Sequence, residues 1–398
     1  LGPSNFGLLN YVTSFIALFT SFTALGLDGI VVRDLVQQAE RGELPGDTII
    51  GTTFFLRSAA LAIAVPAALI TLYFSNLKDH AAIAMGIIIA VGSLFQAFNV
   101  IDLWFQYRVE SKNIVIGRNI ALLLMALARI GLILMRAPLI AFAWVLFGEY
   151  LLGTITAIIV YHFDKQHIRR WRLNIPLAVN LLKQGWPLMF ASVAVYVYMR
   201  IDQIMLKNMA GDYQAGIYAA ATRVSEAWYF IPTAIAASVN PTLFRSREIG
   251  ESIYYGRFQQ LFAIMSGISI SIAVLTMFGG SFVVHLLFGP QYYAAAPVLV
   301  VHIWAAVFVF WGVAQDPWFI NEGLMKAMLL RTAVGALVNI AINIVFIPRY
   351  GAMGAAIATV IAYAIPGCLW NFFDYRTRRI FYLQLKSILF PIYLFRSV

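Results

Sequence analysis

VNLLKQGWPLMFASVAVYVYMRIDQIMLKNM (residues 179–209), Ala210-Gly211-Asp212, and YQAGIYAAATRVSEAWYFIPTAIAASVNPTLF (residues 213–244) read as one hydrophobic hairpin: a rising helix, a turn and a descending helix. Arg200, Asp202, Arg223 and Glu226 lie inside it. A charge at the centre of a membrane helix costs about 2.5–3.5 kcal/mol on insertion scales, so four in two adjacent spans require mutual pairing or a watery cavity with something to bind. Ser192, Tyr196, Arg200, Gln203 and Lys207 recur at steps of three or four and form one polar stripe on the rising helix. Asp202 sits about 200° from Arg200 around the axis, so these two neighbours are not expected to pair. Arg223 and Glu226 share a face of the descending helix. Counted from the turn, Arg200 and Arg223 reach similar depth, and two guanidiniums at one level make an anion seat. The competing reading is that these residues are interhelical ion pairs that fix packing.

Working outward, the whole chain has the same character. It is 61% hydrophobic and 12% charged, well above the roughly 45–50% apolar share of soluble domains. Residues 258–315 carry no formal charge and neither do residues 1–27, whereas about 20 residues suffice to cross a bilayer as a helix. The chain is therefore read as an all-α integral membrane protein. Eleven spans are expected, near 6–27, 48–75, 80–104, 114–135, 138–163, 179–208, 211–244, 258–287, 291–318, 325–347 and 352–373. The connections are too short for a folded extramembrane domain.

Assigning loops alternately places nineteen Lys and Arg on one side and four on the other, Lys78, Arg136, Lys207 and Arg349. The positive-inside rule makes the rich side, which holds the C-terminus, cytoplasmic. Much of the net charge of +10 is then accounted for by anionic membrane lipids rather than nucleic acid. Residue 1 is Leu and is placed outside, so a first helix is expected to be missing from the sequence. A faint repeat supports two parallel halves: Gly2 and Gly7 before Leu8, and Gly211 and Gly216 before Ile217, are each spaced by four residues, 209 positions apart. The expected organisation is an N-terminal lobe at 1–163, a cytoplasmic basic linker at 164–178, a C-terminal lobe at 179–385 and a cytoplasmic tail at 386–398.

Among the other membrane-depth charges, Arg57 and Arg129 stand alone on apolar helices and are expected to face the same cavity from the first half. The outer-to-middle zone is the basic one. No phosphate-binding glycine loop, nucleophile elbow, HExxH or metal-ligand spacing of histidines is present, and the single Cys368 cannot form an intrachain disulfide. No catalytic residue, metal or cofactor is expected, and nothing points to an enzyme.

LGPSNFGL (1–8), RIDQIML (200–206), GIYAAATRVSEAWYFIP (216–232) and PRYGAMGAAIAT (348–359) resemble the polysaccharide transporter family, which includes the O-antigen repeat-unit flippases of the MOP superfamily. The resemblance implies twelve helices in the intact pattern, in two six-helix lobes around a central cavity, working by alternating access. It implies a polyprenyl-pyrophosphate-linked oligosaccharide as substrate, moved across the bacterial cytoplasmic (inner) membrane, with association with polysaccharide polymerase machinery as a further expectation. Arg200, Arg223, Arg129, Arg57, Tyr196 and Gln203 are the expected substrate-binding residues. Asp202 and Glu226 are the expected ion-coupling residues, for a proton or sodium gradient. The alternatives are a multidrug exporter or a peptidoglycan-precursor flippase of the same superfamily and, from another class, a membrane glycan polymerase or ligase.

Overall fold

The computed structural model describes residues 1–39, 44–77, 79–108 and 110–389. Arg41, Lys78 and Arg396 of the charge count, and the tail beyond residue 389, lie outside the described residues. Among the described residues there is no strand. Among the described residues nine stretches are long and apolar enough to cross a membrane, and two of them break at a non-helical glycine. Each broken stretch makes two legs, which gives the eleven expected from sequence.

The legs are α1 (Pro3–Thr20), α2 (Gly46–Ser75), α3 (His80–Tyr107), α4 (Lys112–Leu134) and α5 (Leu139–Phe163). The element Ile175–Glu226 divides at Gly211 into α6 (175–210) and α7 (212–226), and α7 continues after a short turn as α8 (Phe230–Ile249). Next come α9 (Glu251–Phe288) and α10 (Ala295–Asn321). Met325–Ala364 divides at Gly351 into α11 (325–350) and α12 (352–364), and α13 (Arg378–Ser387) is a short amphipathic helix. Gly211 has φ 86° and Gly351 φ 55°, in the left-handed region where a side chain costs about 1–2 kcal/mol, so each turn is placed by the residue type. At Gly351 the Gln214 side-chain Oε1 accepts from Ala352 N at 3.0 Å, satisfying one of the orphan donors at the start of α12.

Among the described residues the chain forms two compact units: Tyr11–Tyr196, and Gly2–Asn10 together with the chain from Val197. The first unit is built on Leu27, Val31, Ile49, Ile50, Ile101 and Tyr161. Trp171, from the basic stretch 164–178, is buried in this core and donates to Tyr161 Oη at 3.1 Å.

In the second unit the first turns of α1 lie against the start of α7. A Cβ on Gly7 would stand 2.0 Å from Asp212 O, and one on Gly216 would stand 1.8 Å from Pro3 O. The two repeat glycines thus form a backbone-to-backbone contact, the small-residue packing used where bilayer lipid supplies no hydrophobic drive. Farther along, Pro366 lacks an N–H and the helix widens to a π-turn at Ile365–Leu369. The carbonyls are met by side chains. Gln315 Nε2 and Arg331 Nη1 donate to Pro366 O at 2.8 and 3.0 Å, and Gln384 Nε2 donates to Gly367 O at 2.7 Å. The expected 352–373 span is therefore α12, this π-turn and Trp370–Phe373.

Candidate functional site

The second unit holds five of the eight residues singled out from sequence. Arg200, Asp202 and Gln203 come from α6, and Arg223 and Glu226 from α7. Arg200 Nη2 lies 3.0 Å from Glu226 Oε2; the arginine side chain is 40% exposed and the glutamate 17%. Arg223, on the exposed side of α7, is within electrostatic range of the same carboxylate. Two guanidiniums therefore act on the Glu226 carboxylate, one of them from across the hairpin. Gln203 Nε2 donates to Ala215 O at 2.9 Å, tying α6 to α7 just below the turn.

Asp202 points away from Arg200, as the helical angle requires, into a buried cluster. It accepts from Tyr218 Oη at 2.7 Å, from Thr359 Oγ1 at 2.7 Å and from Asn343 Nδ2. Asn343 Nδ2 also donates to Asn339 Oδ1 at 3.1 Å. Asp202 is 2% exposed, and the hydrogen-bond partners of its side chain are all neutral. Asn339 Nδ2 and Asn343 Oδ1 are buried without a protein partner. A carboxylate taken out of water among hydroxyls and amides alone is costly as an anion, and the cost is relieved by a proton or by a small cation on the clustered oxygens. Beside it, His302 Nδ1 lies 3.0 Å from Ser225 Oγ and its ring meets Tyr218 edge-on.

The first unit holds the other three. Arg57, which looks solitary on α2, is buried and paired with Asp28 from the segment after α1. Arg129 on α4 is paired with Glu149 on α5. Tyr196 Oη reaches Ser14 O at 3.5 Å. Arg57 and Tyr196 line one cavity of about 230 Å³ with Thr20, Ser21, Gln96 and Asn99. Arg129 reaches this unit's polar interior through Glu149, which lines a second and larger space.

The charged members were found from sequence because charge inside an apolar run is conspicuous. The neutral partners were not. Asn339 and Asn343, four apart on α11, and Gln96 and Asn99, three apart on the third span, each put two amides on one helix face, and that spacing was the available signal.

Residues 1–247 match the family described as "Polysaccharide biosynthesis protein". An uncharacterized membrane protein of Methanocaldococcus jannaschii is 27% identical over 239 residues, which is 56% of this chain and 45% of that protein. The match thus spans less than half of the curated relative's length. Among solved structures, an inward-facing multidrug resistance MATE family transporter of the MOP superfamily superposes with TM-score 0.74 at 13% identity, covering 100% of this chain and 93% of that one. The lipid II flippase MurJ, in an inward closed conformation, gives 0.66 at 16% identity over 100% and 91%. A MOP superfamily transporter from Pyrococcus furiosus Vc1 (DSM3638), for which reverse polarity of the binding pocket is described, gives 0.63 at 13% over 99% and 89%.

Proposed function

Because this chain belongs to the polysaccharide biosynthesis protein family and has the fold of MOP superfamily transporters, we propose that it flips a polyprenyl-pyrophosphate-linked oligosaccharide repeat unit, for O-antigen or another surface polysaccharide, from the cytoplasmic to the outer leaflet of the membrane. One observation carries this reading. Arg200 from α6 and Arg223 from α7 both lie within electrostatic range of the Glu226 carboxylate, which brings two guanidinium forks together at membrane depth. A pyrophosphate presents neighbouring oxygens that planar guanidinium forks grip bidentately, and a low-dielectric setting strengthens each contact.

Arg57, Arg129, Tyr196 and Gln203 complete the proposed substrate-binding set, with the lipid tail left in the bilayer. Passage needs no covalent step, so the protein acts as a transporter and not as an enzyme. Asp202 is the proposed coupling group, taking up a proton or a sodium ion among Tyr218, Asn339, Asn343 and Thr359. Glu226 is the second, its charge alternately answered by Arg200 and by the ion. The segment 164–178 is taken as the join between the two repeated halves. The basic loops and C-terminus are placed on the cytoplasmic side of the inner membrane, in contact with anionic lipids, and polysaccharide polymerase machinery is the proposed neighbour receiving the product.

Deleting the gene in its host tests the function. The proposal predicts that lipid-linked repeat units accumulate on the cytoplasmic leaflet and that surface polysaccharide is lost, both restored by the wild-type gene. Normal surface polysaccharide with no accumulation contradicts it.

A further inference from the structure

The first unit contains a polar space that the charge pattern alone does not reveal. It is a cavity of about 470 Å³ between the third, fourth and fifth spans, within the roughly 300–1,000 Å³ range of small-ligand pockets. Gln96, Asn99, Arg118, Glu149, Tyr150 and Thr154 supply its polar wall, with Phe95 and Leu122 beside them. Leu122 is half exposed.

Every charge on this wall already has a counter-charge. Arg118 Nη2 lies 2.8 Å from Asp102 and donates to Asn99 Oδ1 at 2.9 Å, and Glu149 is paired with Arg129. A phosphate seat needs cations in surplus, which this wall lacks. It offers a ring of groups that both donate and accept: the Gln96 amide, in hydrogen-bonding reach of the Tyr150 hydroxyl, the Asn99 amide, and Thr154, whose Oγ1 donates to Phe95 O at 3.2 Å and can still accept. Arg118 Nε is buried without a protein partner. Phe95 and Tyr150 add aromatic surface. Neutral donors and acceptors interleaved with aromatic rings suit a molecule with a hydroxylated edge and an apolar face.

We propose that this cavity seats an uncharged sugar ring of the transported glycan, a reading that rests on the flippase function proposed above. The charge-balanced wall of this cavity suits a neutral sugar and not a phosphate.

The test compares two probes on purified full-length protein in nanodiscs: bare polyprenyl pyrophosphate, and the same lipid carrying the host's oligosaccharide repeat unit. Tyr150→Phe removes the hydroxyl and Leu122→Trp fills the cavity from a half-exposed position that tolerates bulk. Loss of one hydrogen bond weakens binding about fivefold, and filling the cavity about tenfold or more. Both losses are expected for the glycosylated lipid only, with the bare lipid within about twofold of wild type, whereas Arg200→Ala weakens both probes. If the wild-type protein binds both lipids and neither cavity variant changes the ratio between them, the space is merely hydrated and the sugar seat is overturned while the flippase reading stands. If the wild-type protein binds neither lipid, the flippase reading falls and the sugar seat with it.

Discussion

Replacing Gly216 by Ala adds one methyl group where the structure has no room for it. The new Cβ would lie 1.8 Å from Pro3 O, 2.6 Å from Pro3 C and 3.1 Å from Gly7 N, all backbone atoms that no rotamer change can move. Relaxed carbon contacts lie at about 3.5–4.0 Å, so the start of α1 must retreat from α7 by roughly 1.5 Å or more. Overpacking of this kind costs about 1–3 kcal/mol, against which better helix propensity returns at most about 1 kcal/mol. The net loss, up to about 2 kcal/mol, should lower the melting temperature by up to a few degrees, at less than about 2–4 °C per kcal/mol in a chain of 398 residues. The lone Cys368 is buried, so a thiol-reactive dye reports its exposure on heating. Gly131→Ala is the control, since nothing lies within 4 Å of its added Cβ, and it should melt at or slightly above wild type. Identical melting of the Gly216 and Gly131 variants would refute the glycine-on-glycine contact.

Other consequences can be checked in the same preparations. Asp202→Asn keeps the shape of the Tyr218, Asn343 and Thr359 cluster but removes the ionisable group, so transport in proteoliposomes should lose most of its dependence on the imposed ion gradient; full dependence would remove Asp202 from coupling. Glu226→Gln should likewise flatten the gradient dependence, and an active variant with an unchanged dependence would exclude Glu226. Arg331→Leu strands Asp316 and withdraws a donor from Pro366 O; because the Asp316 side chain is a third exposed, the loss should fall near the low end of about 3–5 kcal/mol, and Arg331→Leu with Asp316→Leu should recover most of it by thiol-dye melting.

The eleven legs and their turns were legible in the sequence because two physical signals are strong there. Uncharged runs of more than about 20 residues have few fates other than crossing a bilayer, and Gly211 stands where only glycine bends the chain without strain, whereas the bend at Gly351 emerges only from its backbone in the structure. The charged half of the site was legible for the same reason, down to Asp202 and Arg200 facing apart. The partners were less so. Arg57 looks solitary because its acid, Asp28, lies on another element, and the Arg200 partner of Glu226 comes from across the hairpin, where spacing along one helix does not show it. Asn339, Asn343 and Thr359 come together around Asp202 only once the legs on either side of Gly351 fold back, a tertiary fact that spacing along one helix does not contain. That the two repeat glycines touch each other was likewise invisible, since a repeat implies equivalent places and says nothing of contact.

Translocation by the purified protein in liposomes tests the central claim most directly: radiolabelled polyprenyl-pyrophosphate-linked oligosaccharide is loaded in one leaflet and its arrival in the other is read by a membrane-impermeant glycosidase. Wild-type protein should move the lipid, Arg200→Ala and Arg223→Ala at equal reconstituted level should move it at least about tenfold more slowly, and Arg200→Lys, which keeps the charge and loses the fork, should fall between them. Wild-type rates in both alanine variants would contradict the arginine seat, and no translocation by the wild-type protein would contradict the function itself.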